Sequence, residues 1–222
     1  MQHQPLGRAA VAALALAAAG PAALAQNLVV NGSFESPGNG QTQVSTVPDG
    51  WSLIDTANGV DIIGAGLGGS VAADGLQFLD LIGGGQGAFP SGVYQDLALT
   101  AGTTYRLQFA FNGAIYDDGS PTSGAVLKAS VASLWQDAYP VDAFNAFPAN
   151  GPATPWQTAA VTFTAQATGL HRLSFSTDSG AWGSPYVDAV SVTAVPEPGT
   201  WAMAAAGLLG LGAWRRRAAA AA

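Results

Sequence analysis

The sequence predicts an all-β fold, a jelly-roll β-sandwich, on three observations. Period-two alternation of apolar and polar residues recurs along residues 26–194, clusters of Gly, Pro, Asn and Asp separate the alternating stretches, and no long helical pattern interrupts them. "TTYRLQFAFNG" is the clearest strand. Tyr105, Leu107, Phe109 and Phe111 fall on one face, and Thr104, Arg106, Gln108 and Ala110 on the other. "AVLKASVASLW" sets Leu127, Ala129 and Val131 on an apolar face. "NLVVNG", "WSLID", "GVDII", "LQFLDLIG" and "VYQDLALT" come before these two, and "WQTAAVTFTA", "LHRLSFSTD" and "YVDAVSVTA" after them. Such a density of short strands with turn signals between them indicates one sandwich domain. Three long connections stand out, residues 36–49, 112–124 (with the "YDDGSPTSG" turn) and 136–155, and irregular loops on a rigid sandwich are where binding usually sits.

Both ends read as signals, each with a short helix flanking the sandwich. Arg8, the apolar run 9–19, the Gly20-Pro21 break and Ala23-Leu24-Ala25 describe a secretory signal peptide over residues 1–25, cut by signal peptidase between Ala25 and Gln26. At the other end Val195, Pro196, Glu197 and Pro198 precede an apolar stretch, 200–214, that stops at Arg215, Arg216 and Arg217; alanines 218–222 follow. The stretch is shorter than the roughly 20 residues that span a hydrocarbon core as a helix, and glycines interrupt it. The arginines would stay cytoplasmic, leaving the sandwich outside. A permanent anchor and a disposable tail both fit this plan; the short span suits transient inner-membrane retention better.

With the terminal signals removed, residues 26–194 keep three basic side chains, Arg106, Lys128 and Arg172, against thirteen acidic ones, a net charge of −10. Such a domain will not hold nucleic-acid phosphates, and an anionic membrane surface repels it. Neutral sugars, divalent cations and proteins remain as partners. The chain has no cysteine, which excludes thiol catalysis and Cys-ligated zinc and leaves stability to the core, with or without a metal.

"NLVVNGSFESP", with "VPDGWSLI", "GVDIIG", "DGLQFLDLIGG", "GVYQDLALTAGTTYRLQFAFNG" and "SPYVDAVSV" in order after it, resembles exported jelly rolls of the galactose-binding-like superfamily. It is similar to their carbohydrate-binding modules, to the domain of unknown function 642 group of plant cell walls, and to bacterial choice-of-anchor C domains. "VPEPGTW", an apolar segment and "RRR" resemble the PEP-CTERM sorting signal of Gram-negative bacteria that carry an exosortase. That resemblance implies export, processing by exosortase at the Pro-Glu-Pro motif, and release to the cell surface, outer membrane or exopolysaccharide matrix.

The carbohydrate-binding modules imply a structural Ca²⁺ held by the Glu after the Asn-Gly-x-Phe segment and by the Asp of the closing strand, here Glu35 and Asp188. Alternation puts Asp188 on the face of Val190 and Val192, inward or at the rim of the core, where an ionised carboxylate needs a partner. The alternative is that Glu35 accepts turn hydrogen bonds and Asp188 caps a strand end. For sugar binding the candidates are aromatic platforms in loops or at strand ends, Trp135, Tyr139, Trp156, Trp182 and Tyr116, with Asp117 beside the last; core packing is the alternative for each. Trp51, after a Pro-Asp-Gly turn, is expected in the core. No catalytic residue is assigned. His171, the one histidine outside the signal peptide, alternates with Leu173 and Phe175 as a packed or edge residue, no Gly-x-Ser-x-Gly elbow occurs, and no spacing selects a carboxylate pair for hydrolysis. "GAGLGG" lacks the helix a phosphate loop needs. The expected function is therefore non-enzymatic glycan binding at the surface or in the matrix. A structural or adhesive matrix role is the alternative, and a polysaccharide-active hydrolase the third reading.

Overall fold

Tyr105, Leu107, Phe109 and Phe111 all point into the core from one strand, which carries the alternation of the sequence directly into space. The computed structural model describes residues 26–38, 42–55, 59–83, 90–114, 124–141, 143–178, 184–196 and 207. Its compact body is Asn27–Val195. Eleven strands are described: β1 (Gln43–Ser45), β2 (Ser52–Leu53), β3 (Asp61–Gly64), β4 (Gln77–Asp80), β5 (Ser91–Leu99), β6 (Thr104–Asn112), β7 (Val126–Val131), β8 (Trp135–Pro140), β9 (Gln157–Thr164), β10 (Gly169–Thr177) and β11 (Tyr186–Ala194). They form a six-stranded sheet in the order β1-β3-β4-β11-β6-β9 and a five-stranded sheet in the order β2-β5-β10-β7-β8. Every described pairing is antiparallel. The chain is a jelly-roll sandwich, as expected.

The elements differ from the sequence reading in three places. β8 opens what reads as a long loop after Gln136, because Ala and Pro dilute its alternation; Leu127 and Tyr139 nevertheless lie opposite one another. β1 lies within the expected 36–49 loop and pairs with β3. "NLVVNG" forms no strand, although Leu28 N–H donates to the Val192 carbonyl at 2.8 Å and Asn27 Oδ1 accepts from Val192 N–H at 2.9 Å. The "GAGLGG" stretch closes in a short 3-10 turn over Leu67–Gly69.

Between the sheets Phe34, Phe109, Phe175, Leu79, Leu107 and Leu127 are fully buried. A second, smaller cluster lies on the outer face of the six-stranded sheet. Ile63 and Phe78 stand opposite each other there and join Tyr186 and Ala146, with Leu67, Ala72, Phe147 and Trp156 packed against them. Because loops cover that face, the far half of β6 is buried on both sides from Phe109 to Asn112.

A β-bulge in β11 corrects the expected facing of Asp188. Tyr186, Val187 and Asp188 pair with Asn112, Phe111 and Ala110; the register then shifts before Ser191 pairs with Gln108. Ala189, at φ 52°, carries the extra residue. An inserted residue reverses the facing of the strand beyond it, so Asp188 shares the outer face with Tyr186 while Val187, Val190 and Val192 enter the core. The signal-peptide residues Ala23 and Ala25, and the tail residues Glu197, Pro198, Arg215, Arg216 and Arg217, lie outside the described residues, as do the expected terminal helices apart from Gly207. No helix among the described residues is long and apolar enough to cross a membrane.

Candidate ligand-binding site

A cavity of about 320 Å³ opens on the outer face of the six-stranded sheet, where β6 ends and β9 begins. Val71, Asn112, Pro148, Thr154, Pro155 and Trp156 line it. The Trp156 ring lies edge-on to Phe78 with centroids 5.4 Å apart, and its indole N–H donates to the Val71 carbonyl at 2.8 Å. That bond fixes the ring between the two loops that form the walls.

One wall is the loop 143–156, organised by the buried Asn145. Its amide donates to the Phe147 carbonyl at 3.0 Å, its Oδ1 accepts from Phe147 N–H at 3.0 Å, and its own N–H donates to Thr154 Oγ1 at 2.7 Å. Sequence reasoning passed over Asn145. The available signal was an Asn set among Ala, Phe and Pro, a residue type that closes turns through its side chain.

Gly69 and Val71 form the other wall, and two carboxylates hold the turn that follows them. Asp188 Oδ2 accepts from Ala73 N–H at 2.7 Å and Asp74 N–H at 2.9 Å, and Oδ1 from Ala189 N–H at 2.6 Å. Glu35 Oε1 accepts from Leu76 N–H at 2.7 Å and Gln77 N–H at 2.8 Å. The two expected metal-site residues thus grip one turn, 73–77, from its two ends. Gly75 sits between them at φ +71°, where a β-carbon would lie 2.5 Å from Glu35 Oε1. Asp188 is fully buried; burial pushes its carboxyl up to about 7, against the opposing pull of the backbone donors. Both oxygen sets are hard donors of the kind calcium takes. Among the described residues no third metal-binding side chain joins them.

The remaining aromatic candidates divide. Tyr139 is half-buried against the main core, 5.5 Å from Phe109 and 4.9 Å from Phe111 between centroids, and burial pushes its phenol up to about 12. Trp135 is half-buried against the same core, opposite Val131. Trp182, Tyr116 and Asp117 lie outside the described residues. Trp156 is the one described candidate that reaches the cavity. His171 lies near the start of β10, the central strand of the five-stranded sheet, with Nε2 2.9 Å from the Ala167 carbonyl.

A second carboxylate pair, invisible in the spacing, faces outward from β3 and β4. Asp61 and Asp80 stand directly opposite in register. Ser45 Oγ donates to Asp61 Oδ1 at 2.6 Å, the Gln43 amide donates to Asp61 Oδ2, and Asp80 Oδ1 accepts from Ile82 N–H at 2.9 Å. Burial pushes the Asp80 carboxyl up to about 6, opposed by its hydrogen bonds, and the nearby Asp61 adds to the rise. At 1% and 5% exposure the pair is closed to a polymeric substrate.

Residues 194–217 match the PEP-CTERM protein-sorting motif. The chain therefore carries the signal of an exported protein. No curated protein matches it. Among solved structures it is similar to a Stig cyclase from Fischerella sp. TAU, at 18% identity, TM-score 0.55, and 78% and 99% coverage of the two chains. It is also similar to the arabinose-bound α-L-arabinofuranosidase MgGH51, at 14% identity and TM-score 0.52, covering 79% of this chain and 27% of that one. A family 16 carbohydrate-binding module aligns at 20% identity and TM-score 0.47, covering 75% and 99%. At these identities the likeness is one of fold, and fold alone assigns no activity.

Proposed function

We propose that this protein is an exported, non-catalytic sandwich of the choice-of-anchor C kind that binds a polysaccharide of a Gram-negative cell surface or matrix, after an exosortase has processed its tail. The cavity beside Trp156 carries the reading. It joins a fixed indole and two prolines, apolar surfaces on which a pyranose ring stacks, to the polar Asn112 and Thr154. Its rim is built from loops on a rigid sheet, the usual seat of binding. The acidic balance of the domain suits a neutral sugar.

The test is affinity electrophoresis and a glycan array on residues 26–195, including the producer's own polysaccharide. Saturable binding is expected, and Trp156→Ala is expected to weaken it at least tenfold, about 1.4 kcal/mol. Absence of saturable binding to any polysaccharide would leave the structural matrix role instead. Turnover of a bound glycan would establish a hydrolase.

Glu35 and Asp188 are proposed to hold a structural Ca²⁺ at the 73–77 turn, with backbone carbonyls completing a shell of six to eight oxygens. Their chemistry suits a hard cation, and the turn they grip follows directly on Gly69 and Val71, which line the cavity. Ca²⁺ is expected to raise the melting temperature and chelator to lower it, with Glu35→Ala and Asp188→Ala each abolishing the difference. Identical melts in Ca²⁺ and chelator would assign both residues to clamping the turn alone.

A further inference from the structure

We propose that the cavity beside Trp156 selects a neutral sugar that carries a methyl-bearing group, a 6-deoxy carbon or an acetyl, over the fully hydroxylated ring. The proposal rests on the glycan reading of that cavity and names the class of sugar it takes.

The polar groups at the cavity are engaged by the protein itself. Trp156 gives its one N–H to the Val71 carbonyl at 2.8 Å. The Asn112 amide donates to the Thr154 carbonyl at 3.2 Å, and its Oδ1 accepts from Gly113 N–H at 2.8 Å. Thr154 Oγ1 accepts from Asn145 N–H at 2.7 Å, and its hydroxyl donates to the Asn145 carbonyl at 3.3 Å. Asn112 is 1% exposed, so its amide belongs to the wall rather than being held out to a ligand. These bonds shape the two loops and leave little to meet a row of sugar hydroxyls. A hydroxyl taken from water into such a site without a partner opposes binding.

What the cavity offers instead is apolar surface. Val71, Ala146, Pro148, Ala153, Pro155 and the Trp156 ring supply most of the described lining. Val71 is 69% exposed, an apolar side chain in water that a ligand methyl would cover. The volume of about 320 Å³ stands at the lower end of the roughly 300–1,000 Å³ of ligand pockets, which fits one sugar residue with its substituent.

Charge narrows the class further. None of the described lining residues is charged, and the domain carries −10. Of its three bases, Lys128 and Arg172 are held by Asp178 and Asp96. Arg106 lies six residues before Asn112 on β6, about 20 Å along the strand. A uronate or phosphate in the cavity would find no cation there. A neutral ring bearing a methyl matches both the wall and the charge.

The test uses sugars paired so that the members differ in the methyl-bearing group: L-rhamnose with L-mannose, L-fucose with L-galactose, and N-acetylglucosamine with glucose. Titration calorimetry and saturation-transfer NMR are run on the chain from Gln26 to Ala222 in a sugar-free detergent. In at least one pair the methyl-bearing member is expected to bind at least tenfold tighter, with its methyl protons the most strongly saturated. Trp156→Ala and Val71→Asp are each expected to abolish that binding. Because Val71 is exposed, Val71→Asp should keep the native melting temperature, which separates loss of binding from loss of fold. Equal or tighter binding of the hydroxylated member in every pair that binds would overturn the proposal. So would saturation spread evenly over the ring protons, binding that survives both substitutions, or no binding by any of the six sugars. If none of the six binds while a polysaccharide is still captured through Trp156, the glycan reading stands and the methyl preference alone falls; without that capture both fall.

Discussion

Replacing Trp51 with alanine is expected to lower the unfolding midpoint by about 10 °C, on a loss of about 3–5 kcal/mol. The indole is 6% exposed and lies between Phe34 and Phe175, at centroid distances of 5.4 and 6.1 Å. Its truncation leaves a large void between the sheets. It also removes the indole N–H bond to the Asn31 carbonyl, 3.1 Å long, which ties the opening segment to the Pro48–Trp51 turn. Asn31 is itself the hub of that segment, donating to the Ser36 and Asp49 carbonyls at 2.7 and 3.0 Å. A calorimetric melt checks the expectation, and a shift under about 3 °C would show that the opening segment closes over the void.

Asp80 is expected to make the sandwich more stable in mild acid than at neutral pH. Its folded carboxyl titrates near 6 against an ordinary value of 3.8 because burial, with Asp61 opposite, disfavours the charge. The folded state therefore holds a proton that the unfolded state has released. The Asp80 contribution to stability falls as pH rises from about 4 to about 6 and is flat above, where its loss is on the order of 3 kcal/mol at 1.4 kcal/mol per pH unit. The groups facing Asp80 from neighbouring strands are Asp61 of β3 and Tyr186 of β11. Asp80→Asn keeps an acceptor for Ile82 N–H and removes the titration. It should match the native chain near pH 4 and exceed it at pH 8. Urea midpoints of both proteins at the two pH values test this, and a constant difference between them would refute it.

The two expectations differ in how far the sequence announces them. Trp51 follows a Pro-Asp-Gly turn and enters an apolar stretch, so its burial is legible from local chemistry. Nothing in the separation of Asp61 from Asp80 marks them as a pair. They meet because β3 and β4 turn back on one another in a particular register. The same holds for the candidate site. Trp135, Tyr139 and Trp156 look alike as loop-flanking aromatics, yet two pack on the main core and one reaches the cavity.

By itself the sequence determined what depends on near neighbours. Period-two alternation and turn residues specified a sandwich, and a Pro-Glu-Pro segment, a short apolar run and three arginines specified the sorting tail. Tertiary structure decided what depends on register between distant strands. A single added residue at Ala189 turns Asp188 from the expected core face to the outer face, beneath the 73–77 turn. Side-chain facing has a period of two, so one bulge reverses it, and no local pattern in the strand records that reversal.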